Sequence, residues 1–180
     1  MSGRPSDDDA GVTLVELIIY MVVGLLLLSL MAGLFANGLS SQAQTTDRDT
    51  ATGKATVVTD SLQTSIRNAT AVNPSSGTGK TIVALVATGT SGWECRAWSL
   101  TSSGALMYKA AASQFSTSST TGWATLATGV TGSLTGGAMF SSTSSTQLSY
   151  AFSVTVGGSA VPIAGGVIAQ ATIGSGGPCW

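Results

Sequence analysis

Hydrophobic and polar positions follow three rhythms along this chain. In the first, the run AGVTLVELIIYMVVGLLLLSLMAGLFANG holds one charged residue, Glu16, and residues 17–36 are uncharged and mostly apolar. At about 1.5 Å per residue they make a helix of about 30 Å, enough to span a bilayer. In the second rhythm, Ala51, Ala55, Val58, Leu62, Ile66 and Ala69 recur at steps of three or four, while Asp47, Arg48, Lys54, Asp60 and Arg67 lie off that line. This predicts a narrow apolar stripe on a helix covering residues 37–73, packed on a domain. Gly38, Gly53 and the Ser/Thr-rich stretch between them weigh against continuity, and Asn73-Pro74 ends the helix.

The third rhythm is that of strands and turns. Segments 81–88, 93–100, 105–110, 147–156 and 161–173 carry β-branched or aromatic residues between Gly, Ser and Thr turns, predicting a β-rich domain over residues 74–180. Alternation puts Trp93, Cys95, Ala97 and Ser99 on one face and Glu94, Arg96, Trp98 and Leu100 on the other. Glu94 and Arg96 then read as a solvent-side ion pair, and Pro162 marks a strand start or edge. Residues 113–145 are rich in Ser, Thr and Gly and read as long loops. Trp123, Met139 and Phe140 within them are either core anchors or a partner-facing patch.

Composition narrows the function. The 180 residues leave room for a membrane segment and one modest domain. A net charge of −1, with 8% of residues charged, offers no basic footprint for nucleic acid. Histidine is absent, which removes the usual general base and the commonest metal ligand. The carboxylates Asp47, Asp49, Asp60 and Glu94 are scattered, and Asp7, Asp8 and Asp9 form a solvated tail, so no acid/base pair is indicated. Neither enzyme activity, cofactor, metal nor small-molecule substrate is expected. PSSGTGKT (residues 74–81) ends like a phosphate-binding P-loop, but Pro74 occupies the place of its first Gly and a strand rather than a helix is expected to follow. Cys95 and Cys179 show no CxxC spacing. In an oxidising compartment they read as a disulfide, the alternative being two buried free thiols.

The segment Gly11-Val12-Thr13-Leu14-Val15-Glu16-Leu17 resembles the prepilin motif of type IV pilins and pseudopilins. A Gly stands at the polar-to-apolar boundary, Thr13-Leu14 follow, Glu16 is fifth beyond the Gly, and the apolar run continues at once. Val12 stands where Phe is most common in that family. The resemblance implies a leader of residues 1–11, cleavage between Gly11 and Val12 by a prepilin peptidase, methylation of the Val12 amine, and a transmembrane and assembly helix over residues 12–36. It also gives Glu16 a role in docking, its carboxylate being compensated by the amine of a neighbouring subunit.

The implied architecture is α+β, a pilin-like fold with one long helix packed on an antiparallel sheet. The implied partners are the peptidase, other pilin subunits, the pilus assembly platform and membrane lipid. The implied location is the cytoplasmic membrane, crossed once with the C-terminal domain outside, and then a surface filament. WECRAWSLTSSGALMYK with LATGV is similar to minor pilins of the PilW type and to larger minor pseudopilins. The expected function is thus a minor pilin of a type IV pilus. A pseudopilin of a secretion or DNA-uptake machine and a membrane-anchored extracellular binding module are the alternatives.

Overall fold

A computed structural model describes residues 13–75, 77–89, 92–172 and 179–180. The chain divides into two compact units between Ala43 and Gln44. Helix α1, Leu14–Arg67, runs without interruption and contributes to both. Gly38 and Gly53 do not break it. The hydroxyls in its polar stretch are satisfied on the helix itself: Thr50, Thr52 and Thr56 donate to the carbonyls of Thr46, Arg48 and Thr52 at 2.9, 2.8 and 3.0 Å. A side chain bonded to the preceding turn no longer competes with the helix for backbone partners.

In the second unit α1 presents the expected stripe. Ala51, Ala55, Val58, Leu62 and Ile66 are buried, and Ser65 joins them. The helix stops at Arg67, short of the expected end at residue 73, and strand β1, Ala69–Ser75, begins there. Strand β1 pairs antiparallel with β2, Thr81–Thr88, and its register shifts at a bulge between Ala69 and Ala71. The extra residue turns both Ala69 and Val72 inward, and Ala69, three residues after Ile66, continues the stripe's spacing although it belongs to the strand. Asn73, ahead of Pro74, is held extended as a pre-proline residue should be.

The first sheet is a meander in the order β1-β2-β3-β4-β5, with β3 at Gly92–Leu100, β4 at Ala105–Ala111 and β5 at Ala124–Thr128. The second contains β6, Val130–Gly132, β7, Phe140–Ser144, β8, Gln147–Val156, and β9, Ser159–Ile168. Strand β8 is central to it: β6 and β7 pair with successive parts of β8, and β9 pairs with its whole length. The sheets meet at β1, whose Val72 N–H donates to the carbonyl of Ser145 at 2.7 Å. One core joins the helix stripe to Ile82 and Trp98 of the first sheet and to Phe140, Leu148 and Phe152 of the second. Each such large side chain contributes roughly 1.5–3 kcal/mol on burial.

The alternation expected for β3 holds, but its ion pair is placed differently. Trp98 donates from Nε1 to Ser61 Oγ of α1 at 3.0 Å, and Arg96 donates from Nη1 to Ser65 Oγ at 2.8 Å. Glu94 and Arg96 therefore pair on the helix-facing side, each about three-quarters covered, rather than on the solvent side. The helix supplies a serine opposite the guanidinium, which gives the charge a polar partner at the rim of the core. Beside them, burial pushes the Tyr108 phenol above its usual pKa, with Arg96 pulling it down and Glu94 pushing it further up.

The region expected to be long loops contains β5, β6 and β7. Trp123, Met139 and Phe140 are buried in it as anchors. Gly79, in the P-loop-like segment, sits in a turn between strands β1 and β2, with no helix following. Its φ is +63°, and its carbonyl accepts from the N–H groups of Met139 and Phe140 at 2.9 and 2.8 Å.

Candidate functional site

Two groups of residues singled out by sequence lie in separate units. In the first unit, Thr13 stands at the N-cap of α1. Its carbonyl accepts the first helical bond from Leu17 N–H at 3.1 Å, and its Oγ1 accepts from Glu16 N–H at 3.3 Å. Thr13-x-x-Glu16 is therefore a helix-start signature, with the hydroxyl satisfying one of the otherwise unpaired first-turn donors. The Glu16 side chain does not complete the reciprocal half of a capping box among the described contacts. It points forward and accepts from the Tyr20 hydroxyl at 2.8 Å, one turn further along.

Sequence reasoning missed the roles of Thr13 and Tyr20. The first was legible as a threonine three positions before an acid at the head of an apolar run. The second was legible as an i, i+4 pair. Gly11 and Val12, the expected cleavage and methylation positions, lie outside the described residues.

Beyond Glu16, α1 displays apolar side chains on every side. An 18-residue stretch of it has mean hydropathy 2.6, and none of that stretch is buried. Leu17 is 55% exposed, Leu25 66% and Phe35 75%. Among the described residues this is the one helix long and apolar enough to cross a membrane. A helix apolar all round is suited to lipid or to the interior of a helical assembly rather than to water. Glu16 is the sole acidic residue between Thr13 and Thr46. Its carboxylate therefore governs the polar chemistry available at the head of the run, and it can accept hydrogen bonds and attract a cation.

The second unit carries the cysteines. Cys95 of β3 and Cys179 near the C-terminus are bonded, with Cα atoms 5.5 Å apart, across a sequence separation of 84. Both are buried on the face of the first sheet that turns away from α1, in a small cluster with Val83, Ala97 and Trp123. Phe115 packs edge-on against Trp123 at 5.7 Å, and Lys109 Nζ lies 4.9 Å from the Phe115 ring centre. The bond thus pins Cys179 to a sheet face that no helix covers among the described residues.

Other surface features bring little chemistry together. One depression, about 420 Å³, is lined by Lys80, residues 100–104 and residues of the neighbouring turns, with Lys80 its sole charged side chain. Among the described residues no three metal-binding side chains converge. Comparison with family models, curated proteins and solved structures finds no match to this chain.

Proposed function

We propose that this chain is a structural subunit of a type IV pilus or related filament, in the role of a minor pilin. A prepilin peptidase cuts between Gly11 and Val12, the new amine on Val12 is methylated, and the exposed apolar helix enters first the membrane and then a bundle of like helices. The observation that carries this reading is the placement of Glu16 in the first turn of a helix whose N-terminal stretch, to residue 36, is otherwise uncharged, mostly apolar and unburied. A carboxylate there is costly in lipid, by about 2.5–3.5 kcal/mol or more at full depth. It becomes useful where a neighbouring subunit brings a cation. The pilin-like arrangement of one long helix with an antiparallel sheet on its C-terminal half supports the same reading.

One contact favours a second reading. The Tyr20 hydroxyl already donates to the Glu16 carboxylate within its own chain, which suits a helix that only anchors an extracellular binding module and asks nothing of a neighbour.

Glu16→Ala separates the two. In a pilus-assembling host supplied with the peptidase, the pilin reading expects the variant to be cleaved and inserted normally but depleted from filaments. Losing one partner of a buried pair costs about 3–5 kcal/mol, so incorporation should fall by about two orders of magnitude or more. Incorporation at the wild-type level would remove the docking role and leave the anchor.

A further inference from the structure

We propose that Asn68 is an N-glycosylation acceptor, its side-chain amide carrying an oligosaccharide transferred from a lipid-pyrophosphate donor on the non-cytosolic side of the membrane. This rests on the pilin reading only for export of the second unit, which the anchor reading shares.

The motif is Asn68-Ala69-Thr70, an Asn with a hydroxyl residue two positions on and no Pro between. Asn37 and Asn73 lack it, since Gly38-Leu39 follow the first and Pro74 the second. A three-residue match arises readily by chance in a Ser/Thr-rich chain, so its setting in the fold decides whether it can serve. In a helix running to residue 73, Asn68 would be crowded by the turns before and after it. The helix instead stops at Arg67, and Asn68 occupies the exposed turn between α1 and β1. A bulky, solvated modification belongs on such a surface turn.

The amide can take a sugar without losing its place in the fold. Asn68 Nδ2 donates to the carbonyl of Thr64 at 3.0 Å, satisfying one of the acceptors left over at the end of α1. An amide has two such hydrogens, and the other has no partner among the described residues. Glycosylation replaces one hydrogen and keeps one N–H, so the bond to Thr64 survives it.

The hydroxyl of the motif is uncommitted as well. The β1 register passes from Ala69↔Val86 to Ala71↔Leu85, which leaves Thr70 as the bulged residue outside the ladder. Ala69, fully buried, ties the middle of the motif to the core while Asn68 faces water.

Beside Asn68 lies a polar depression of about 390 Å³, lined by Thr64, Arg67, Asn68, Gln170 and Ala171. The N–H groups of Gln170 and Ala171 fix it by donating to the carbonyls of Arg67 and Ala69 at 3.0 and 3.1 Å. Small-ligand sites run from about 300 Å³ upward, so the first sugar has room. The Arg67 guanidinium, a donor with no acceptor capacity, is exposed there. Sugar hydroxyls supply the acceptors it needs.

In the transfer, the Asn68 amide nitrogen attacks the anomeric carbon of the donor and a C–N bond forms. The bond from that carbon to the pyrophosphate oxygen breaks, and the lipid pyrophosphate leaves with the electron pair. One amide proton passes to a base of the transferase.

The test is peptide mapping by mass spectrometry of the full chain from its native membrane. The peptide containing Asn68 should carry an oligosaccharide mass, removable by an amidase that cleaves the glycan from the side chain and leaves a carboxylate. Asn73 should be bare. In the same host, Asn68→Gln and Thr70→Ala should abolish the added mass, and Thr70→Ser should keep it. An intact Cys95–Cys179 bond in each variant verifies that it was exported and folded.

An unmodified Asn68 in chains with that bond would overturn the proposal, as would an undiminished mass in Thr70→Ala. Sugar found only on residues 113–122 would assign the modification to serine and threonine hydroxyls and overturn it too. The N-terminal peptide of the same digest keeps the two readings apart. A glycosylated Asn68 on a chain beginning at Met1 would uphold this site and remove the pilin reading, and a bare Asn68 on a chain beginning at methylated Val12 would do the reverse.

Discussion

Gly79 shows how much of this molecule is decided by single residues with backbone duties. In sequence it belongs to a phosphate-loop look-alike, but its positive φ and its carbonyl, shared by Met139 and Phe140, make it the joint between the β1–β2 turn and β7. A Cβ there would lie 2.6 Å from the Phe140 carbonyl oxygen and 2.7 Å from the Ala138 Cβ. Gly79→Ala should therefore destabilise the fold by about 2 kcal/mol, read as a lower urea midpoint at unchanged m-value. Tyr108 supplies a pH signature. Burial holds its phenol protonated in the folded chain at pH values where the unfolded chain releases the proton, above about pH 10. Its contribution is complete below that pH and is lost as pH rises through the folded-state pKa. Between about pH 9 and about pH 11, wild type should lose more stability than Tyr108→Phe, and equal losses would remove the assignment. The Thr13–Glu16–Tyr20 contacts were legible only in part, because a residue seen as part of a processing motif was not also read as a helix cap.

At the scale of elements, regular patterns read well and irregular ones did not. The stripe on α1, strand β8 and the two faces of β3 follow directly from periods of 3.6 and 2, whereas β2, buried on both faces, reads as a continuous apolar run. The end of α1 was misread because Ala69, buried at the start of β1, falls three residues after Ile66 and so continues the helical stripe, and Asn73-Pro74 was taken as the stop. Strands β5 and β7 were hidden because Ala, Ser and Thr make up most of ATLAT and FSSTS. Their pairing is set by neighbours in space rather than by their own propensity. The Glu94–Arg96 pair was assigned to the wrong side because polarity alone cannot show that α1 brings Ser65 to meet it. The cysteine pair closes a loop of 84 positions around the first sheet. By the chain-entropy estimate that closure stabilises by about 4 kcal/mol. Replacing Cys95 and Cys179 together with Ser should lower stability by about that amount and loosen the packing around Trp123, seen as a red shift of its emission. An unchanged midpoint would contradict this role.

At the scale of the whole molecule, the chain combines a unit built to leave water with a unit held by a core and a disulfide. A buried disulfide suits an oxidising compartment, and a single exposed apolar helix suits one crossing of a membrane. On the proposed pilin reading the folded unit would lie on the non-cytosolic side. The central claim is that the helix is released from a leader and then used for assembly. Intact-mass and N-terminal peptide analysis of the protein from its native membrane, or from a host supplied with a prepilin peptidase, tests it most directly. The account predicts a chain beginning at N-methylated Val12, with Gly11 and the preceding residues gone. A chain still beginning at Met1 in the presence of active peptidase would contradict it and leave the helix as an anchor.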